Sequence, residues 1–597
     1  MKKIINIIWS FLCTVSFPIF ISDQTTFFSN SVFSILMFAL LILLFQYFDT
    51  KENCKRKIFF SYMLGMIFSF MTACGYSLDI YEYIDFKRII WSIVLFSRVY
   101  GQIIAILWDM IDSYGMRDEV IPKQIMKVVE WVLRHPICIC VILCLCWMPC
   151  YIAEFPGGFR ADATREFEQI TNGFNGNFPL LHSVIITRLL PIMYELTGTY
   201  NSGIIVYVIV QMILIAIMYS HIVNSFYRQG VKIEMLVVIL IYCACFPVMH
   251  ILVTQTVRDV LFSALLTYVV FLFYLLSINP KQFMQSKLKP LVLGLVFILT
   301  LLARNNNAGY VMLIIIIIIC GIVISFYGRI SMRGVFIFCV TTIAGYALLG
   351  IGLTRLCQPL GEPYTSASMS AFSQTIVRAY VEEYDTWSEQ ELEELQKYMT
   401  MDYIEYVPQN ADGTKYRLHI DEDKNGFFKF WIRIGKKHLG CYIDAFLANT
   451  QDMWFPNSVV DGYQCADTKA YMEYDKCYYV ISEYNEYPIE HMNLLPEVLN
   501  FYKQIGSYLS FEKIPIISML FSIGFQFWLL LNCMFYNFYK RNKKLYLPIL
   551  IVFGYMVGSA FVPLVLLRYF AAIFLSMPMI IIFTMQAEKL MKIVERD

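Results

Sequence analysis

Charge is what this chain has least of. Only 16% of its 597 residues are Asp, Glu, Lys or Arg, and they sum to +1, so the bulk electrostatics give no ground for a nucleic-acid partner. Signatures of soluble catalysis are missing too. There is no phosphate-binding loop, no glycine fingerprint followed by an acidic residue, no His-Glu-x-x-His and no Gly-x-Ser-x-Gly, which argues against ATP-driven transport by this chain alone. No repeat or low-complexity tract interrupts it. The 17 cysteines match no zinc spacing; most, including Cys138, Cys140, Cys144, Cys146, Cys150, Cys243 and Cys245, lie in apolar runs and read as small packing residues. Cys465 and Cys477 could bridge, and they sit in the one long polar stretch.

What is abundant is apolar surface. Hydrophobic residues make up 58% and aromatics 16%, at a mean hydropathy of +0.58. Crossing ~30 Å of hydrocarbon takes about 20 apolar residues. Runs of that kind lie at 4–22, 31–48, 58–74, 89–111, 136–153, 203–224, 234–252, 259–277, 309–326, 333–356, 514–537, 546–565 and 570–587, with a shorter one at 290–303. The expectation is an all-α polytopic membrane protein with about fourteen transmembrane helices, because lipid offers backbone groups no partners. The first run follows Lys2 and Lys3, but no small-residue cleavage site follows it, so it reads as a retained helix.

Basic residues occupy alternate connections: Lys51, Lys55, Arg56 and Lys57; Arg117, Lys123, Lys127 and Arg134; Arg228 and Lys232; Lys281, Lys287 and Lys289; Arg329 and Arg333; Lys540, Arg541, Lys543 and Lys544. That places both termini in the cytoplasm. The registration works if 180–197, which carries Arg188, Pro191 and Glu195, lies in the outer interface as an amphipathic helix. The segment 357–513, rich in Tyr, Asp, Glu and Trp, is then an extracytoplasmic mixed domain inserted before the last three helices. Within it 389–399 reads as a helix, 408–414 as turn-rich, and 424–447 as an amphipathic helix with Trp431, Ile434 and Tyr442 on its apolar face. The divisions expected are 1–135, an N-terminal transmembrane bundle; 136–356, a core holding the outer loop 154–182; 357–513; and 514–597.

The outer loop carries Arg160, Asp162, Arg165, Glu166 and His182 in quick succession. The same registration brings Arg258, Asp259, Arg304, Asn305 and Arg568 to that boundary from other connections. Ionisable groups at membrane depth are costly and are usually kept for function, so one shared outward-facing site is expected.

The run Phe155-Pro156-Gly157 to Asp162, then Pro179-x-x-His182-Ser183, then Thr256-Val257-Arg258-Asp259-Val260-Leu261-Phe262, then Leu302-Ala303-Arg304-Asn305-Asn306, resembles the GT-C superfamily of integral-membrane glycosyltransferases. In particular it is similar to uncharacterised multi-pass bacterial proteins placed near that superfamily. The resemblance covers roughly 136–587. It departs from those relatives in having Arg258, where they often have Lys, and in an Asn-Asn-Asn tail after Arg304. It implies transfer of a sugar from a polyprenyl-phosphate donor to an envelope glycan or glycolipid at the outer face of the cell membrane. Asp162 suits a general base, although it also suits a helix N-cap. Arg304 and Arg258, with Arg568 behind them, suit the lipid phosphate. His182 suits phosphate, sugar or a buried polar contact. No cofactor is required, but Asp162, Glu166, Asp259 and His182 could assemble a site for a divalent cation, Mg or Mn. A polysaccharide polymerase or ligase would use the same surface; a lipid-linked glycan flippase or exporter would instead need polar residues deep within its spans.

Overall fold

A computed structural model describes residues 2–21, 32–51, 54–116, 123–159, 162–304, 332–360, 369–402, 404–415, 417–420, 422–457, 489–492, 494–506 and 517–587. Within them the chain is helical throughout, and no strand forms beyond isolated bridges. In order come α1 (Lys2–Ile21), α2 (Val32–Asp49), α3 (Lys55–Tyr81), α4 (Phe86–Met116), α5 (Lys123–Arg134), α6 (Pro136–Ala153), α7 (Asp162–Asn172), α8 (Leu180–Thr197), α9 (Asn201–Arg228), α10 (Ile233–Cys245), α11 (Pro247–Thr254), α12 (Arg258–Ile278), α13 (Pro280–Gln285) and α14 (Leu288–Leu302). After a long helix, Met332–Cys357, and the inserted segment, the chain closes with helices Ile523–Lys540, Tyr546–Gly558 and Ala571–Met585.

This is a multi-pass membrane protein. Among the described residues ten helices are long and apolar enough to cross a bilayer, or up to eleven if the bent pair α10 and α11 is counted as one span. A helix lies at every expected run inside those residues; the run 309–326 falls outside them. The run 234–252 differs from expectation, because it is bent by 53° between α10 and α11. Pro247 has no amide hydrogen to continue the ladder, and the residue before a proline is driven out of the helical region; Phe246 sits at φ −73°, ψ 117°.

α8 packs against the start of α9. There His182 meets Tyr207 and Leu190 comes against Gly203. Gly198, at φ +76°, makes the turn between them. Among the ten helices α8 has the lowest mean hydropathy, 1.2.

The described residues of the inserted segment, expected to be mixed, are helical. Helices Ser370–Glu382, Glu389–Tyr398, Lys424–Lys437 and Leu439–Trp454 surround their own core of Ile376, Val377, Leu395, Phe427, Phe430 and Ile434. Apolar side chains spaced three and four apart, and a capping box between Ser388 and Glu391, favour helix here over strand. The expected single helix over 424–447 breaks at His438, whose ring bonds Glu383 and stacks on Trp387 at 5.4 Å. Cys465 and Cys477 lie outside the described residues.

Two contacts tie this segment to the turn between α3 and α4. The Asp444 carboxylate accepts from the Ile84 amide at 3.0 Å, and the buried Arg378 donates to the Glu82 carbonyl while pairing with Glu382 at 3.0 Å. α3 and α4 are therefore packed into the body of the protein. Lys57–Asp109 at 2.6 Å and Lys540–Asp112 at 2.7 Å bind them at the opposite end.

Candidate functional site

The site begins with a splice between two distant loops. α6 ends at Ala153, and the chain passes through a cis Phe155–Pro156 bond into Gly157 and Gly158. Gly157 stands at φ +132°, a conformation L side chains rarely adopt. The Gly158 amide donates to the Thr254 carbonyl at 2.9 Å, and its carbonyl accepts from the Thr256 amide and hydroxyl, both at 2.8 Å. Gln255 Nε2 donates to Glu154 at 3.1 Å on the other side. A side chain on Gly158 would collide with that glutamine amide at 2.3 Å. Because the two loops are joined here, the helices that leave them start side by side. α7 opens with Asp162 and α12 with Arg258, and these two form an ion pair at 3.1 Å.

From that pair a row of alternating charges extends in both directions. On one side Arg258 reaches Glu166 at 3.8 Å, and Glu166 bonds His182, whose other ring nitrogen meets the Tyr207 hydroxyl at 2.9 Å. On the other side Arg568 lies 3.8 Å from Asp162 and 4.0 Å from Asp259, and Arg304 lies 3.5 Å from Asp259. The order is Glu166, Arg258, Asp162, Arg568, Asp259, Arg304. Aromatic rings back each guanidinium: Phe178 under Arg258 at 5.1 Å, and Tyr569 beside both Arg304 and Arg568 at 5.0 Å. Arg304 also donates to the Tyr555 hydroxyl at 2.9 Å and the Tyr569 carbonyl at 3.3 Å.

Exposure divides the row by task. His182 and Glu166 are fully buried, so His182 holds Glu166 and does not face solvent. Asp259 is 1% exposed, and neither of its oxygens accepts a hydrogen bond. Asp162 at 15%, Arg258 at 17% and Arg568 at 22% form the accessible surface. Burial alone would raise the Asp162 carboxyl. The guanidiniums of Arg258, Arg568, Arg165 and Arg304 outweigh it and hold the group at about 2, fully ionised at neutral pH.

The structure thus brings together Asp162, Glu166, His182, Arg258, Asp259, Arg304 and Arg568; Arg160 and Asn305 lie outside the described residues. Asp162 is in the first turn of α7. Arg568, the weakest arginine candidate from sequence, proves to be the link between the two aspartates. Tyr207, Tyr555, Tyr569 and Phe178 were not foreseen. Only Tyr569 carried any signal, as the neighbour of Arg568. Arg258 lies between Glu166 and Asp162, and Arg568 between Asp162 and Asp259. Among the described residues no three His, Cys, Asp or Glu side chains are placed to hold a metal ion.

A family model matches residues 169–595. The chain belongs to DUF6020, a family of unknown function. The DUF6020 match takes in His182, Arg258, Asp259, Arg304 and Arg568, while Asp162 and Glu166 fall just ahead of it. No curated protein and no solved structure matches the chain.

Proposed function

We propose that this protein is a membrane glycosyltransferase. It takes a sugar from a polyprenyl-phosphate donor and passes it to an extracytoplasmic envelope acceptor. The observation that carries this reading is the row of three arginines interleaved with Asp162, Asp259 and Glu166 at one end of a membrane-embedded helical bundle. A lipid-linked phosphate needs permanent, forked cations at the bilayer boundary, and an acceptor hydroxyl needs a carboxylate beside them. The basic residues Arg134, Lys232 and Lys540 gather at the opposite end, the cytoplasmic one in this reading: Lys540 pairs with Asp112, Lys232 with the Tyr114 carbonyl and Arg134 with the Tyr227 hydroxyl. In this reading α8, which brings His182 to the site, lies in the outer interface.

In the reaction the donor phosphate draws Arg568 and Arg258 away from Asp162. Arg568 gives way first, since its pairs at 3.8 and 4.0 Å are the loosest and it is the most exposed. Asp162 loses its counter-charges and becomes basic enough to accept a proton. The acceptor oxygen, giving its proton to Asp162, forms the bond to the anomeric carbon. The bond from that carbon to the phosphate oxygen breaks, and the phosphate leaves with the electron pair under the arginines. The guanidiniums supply the charge this step needs, so a divalent cation is not required by it.

The test compares cells carrying wild-type protein, no protein, and Asp162→Asn. Accumulated lipid-linked sugar together with a missing glycan residue in the last two supports transfer. Normal glycans in the Asp162→Asn cells defeat it, and lipid-linked glycan trapped on the cytoplasmic side points to a flippase.

A further inference from the structure

The stretch 562–566 links helix Tyr546–Gly558 to the turn that carries Arg568, and it has no helical ladder of its own. It is nevertheless buried at Val562, Leu564, Val565 and Leu566, so its backbone groups need partners. Those partners come from the inserted segment. Asn449 Nδ2 donates to the Val562 carbonyl at 3.1 Å, the Ala411 amide donates to the Pro563 carbonyl at 2.8 Å, and Asn410 bridges Leu564 in antiparallel fashion. Just beyond Arg568 the Tyr569 carbonyl is fixed independently, by the hydroxyl of Tyr555 and by Arg304. Arg568 therefore hangs between two anchors, one in the membrane bundle and one in the inserted segment.

The second anchor is itself firmly seated. Asn449 is buried on helix Leu439–Trp454. Gln451 on that helix donates to the Gly75 carbonyl at 3.1 Å, and the Trp454 carbonyl accepts from Trp528 at 2.8 Å. The ring of Phe455 fills the space at Gly75, where a Cβ would sit 2.3 Å from it, and its backbone would lie 2.6 Å from a Cβ at Gly524. The helix cannot shift without displacing α3 and helix Ile523–Lys540.

We propose that Asn449 is a positioning residue for Arg568: the inserted segment sets the height of the Arg568 guanidinium between Asp162 and Asp259, and so its reach to a phosphate. This rests on the glycosyltransferase reading only in taking Arg568 to contact phosphate. With its pairs already at 3.8 and 4.0 Å, a small displacement of the turn removes them.

The experiment is a double-mutant cycle on the full-length protein in nanodiscs, with farnesyl phosphate as the probe and the dissociation constant as the readout. Arg568→Ala weakens binding by about tenfold, the scale of a charge-assisted contact. Asn449→Ala weakens it by between about threefold and tenfold, as one buried hydrogen bond is lost. In the Arg568→Ala background the Asn449→Ala change has less than about a twofold effect, because its target is gone. If Asn449→Ala weakens binding by the same factor in both backgrounds, the positioning role is overturned and the site reading survives. If Arg568→Ala binds farnesyl phosphate as wild type does, the site reading itself fails. Should Asn449→Ala not fold, Asn449→Ser, which keeps a donor on a shorter arm, replaces it with the same two outcomes.

Discussion

Replacing Asp162 by Asn separates what this carboxylate does for the fold from what it does for chemistry. Its carboxyl is held at about 2 against an ordinary 3.8, which corresponds to about 2 kcal/mol of preference for the anion in the folded protein. Because the folded value is the lower one, that stabilisation is present above about pH 4 and is lost as pH falls toward 2. Asparagine keeps the shape and the helix-starting ability but none of the charge. At pH 7 the variant should lose up to about 2 kcal/mol, a tolerable share of a typical ~5–15 kcal/mol total, partly compensated by Arg258 keeping Glu166. Transfer should fall far more, by ~10²–10⁴, the range for a lost acid–base group. Denaturant titrations of both proteins in nanodiscs from pH 7 to pH 2 give the first quantity, and sugar transfer from a polyprenyl-phosphate donor gives the second. The wild-type loss of stability between pH 4 and 2 should shrink in Asp162→Asn. A variant that transfers sugar at the wild-type rate would make Asp162 a structural residue and remove the base from the mechanism.

Arg304→Lys should weaken prenyl phosphate binding by about tenfold with a smaller effect on the melting point, since one ammonium cannot serve Asp259, Tyr555 and a phosphate together; unchanged binding would take Arg304 out of the phosphate site. Gly157→Ala should cost about 1–3 kcal/mol, because φ +132° strains any side chain and the new Cβ would sit 2.6 Å from Val208; a melting point equal to wild type would show that the loop is not constrained as described. Cysteines introduced at 154–182 should react with impermeant reagents added outside intact cells, while those at 225–233 and 538–545 should react only after permeabilisation; labelling of 154–182 from the cytoplasm would dismantle the proposed site.

Much of the fold was legible because lipid imposes a simple demand: a run of apolar residues long enough to cross must be helical, and helices do lie at those runs. The convergence of Asp162, Arg258, Arg304 and Arg568 was legible for a related reason. Each flanks a helix end, and counting crossings puts those ends at one height. The order of charges was not legible, since which carboxylate falls between which arginines depends on helix rotation and on the Gly158 splice, and neither leaves a local pattern. The burial of His182 and Glu166 behind Arg258 belongs to the same class. The break at Phe246 was written in Pro247, yet the apolar character of 234–252 masked it. In the inserted segment the apolar face at Trp431, Ile434 and Tyr442 made a helix legible over 424–447, but not its break at His438, which depends on Glu383 and Trp387 from elsewhere in the segment.

The alternating row has a consequence for how this site can change over time. Removing one member of a buried pair costs ~3–5 kcal/mol because its partner is stranded, whereas neutralising both is often close to free. Asp259→Asn alone should therefore harm the fold more than Asp259→Asn combined with Arg304→Gln, and melting points of the two would show it. With every inner member shared by two neighbours, each single step away from the set is uphill. A lineage that carries the six charges can leave them only by passing through something less stable, so they are inherited, or lost, as a block.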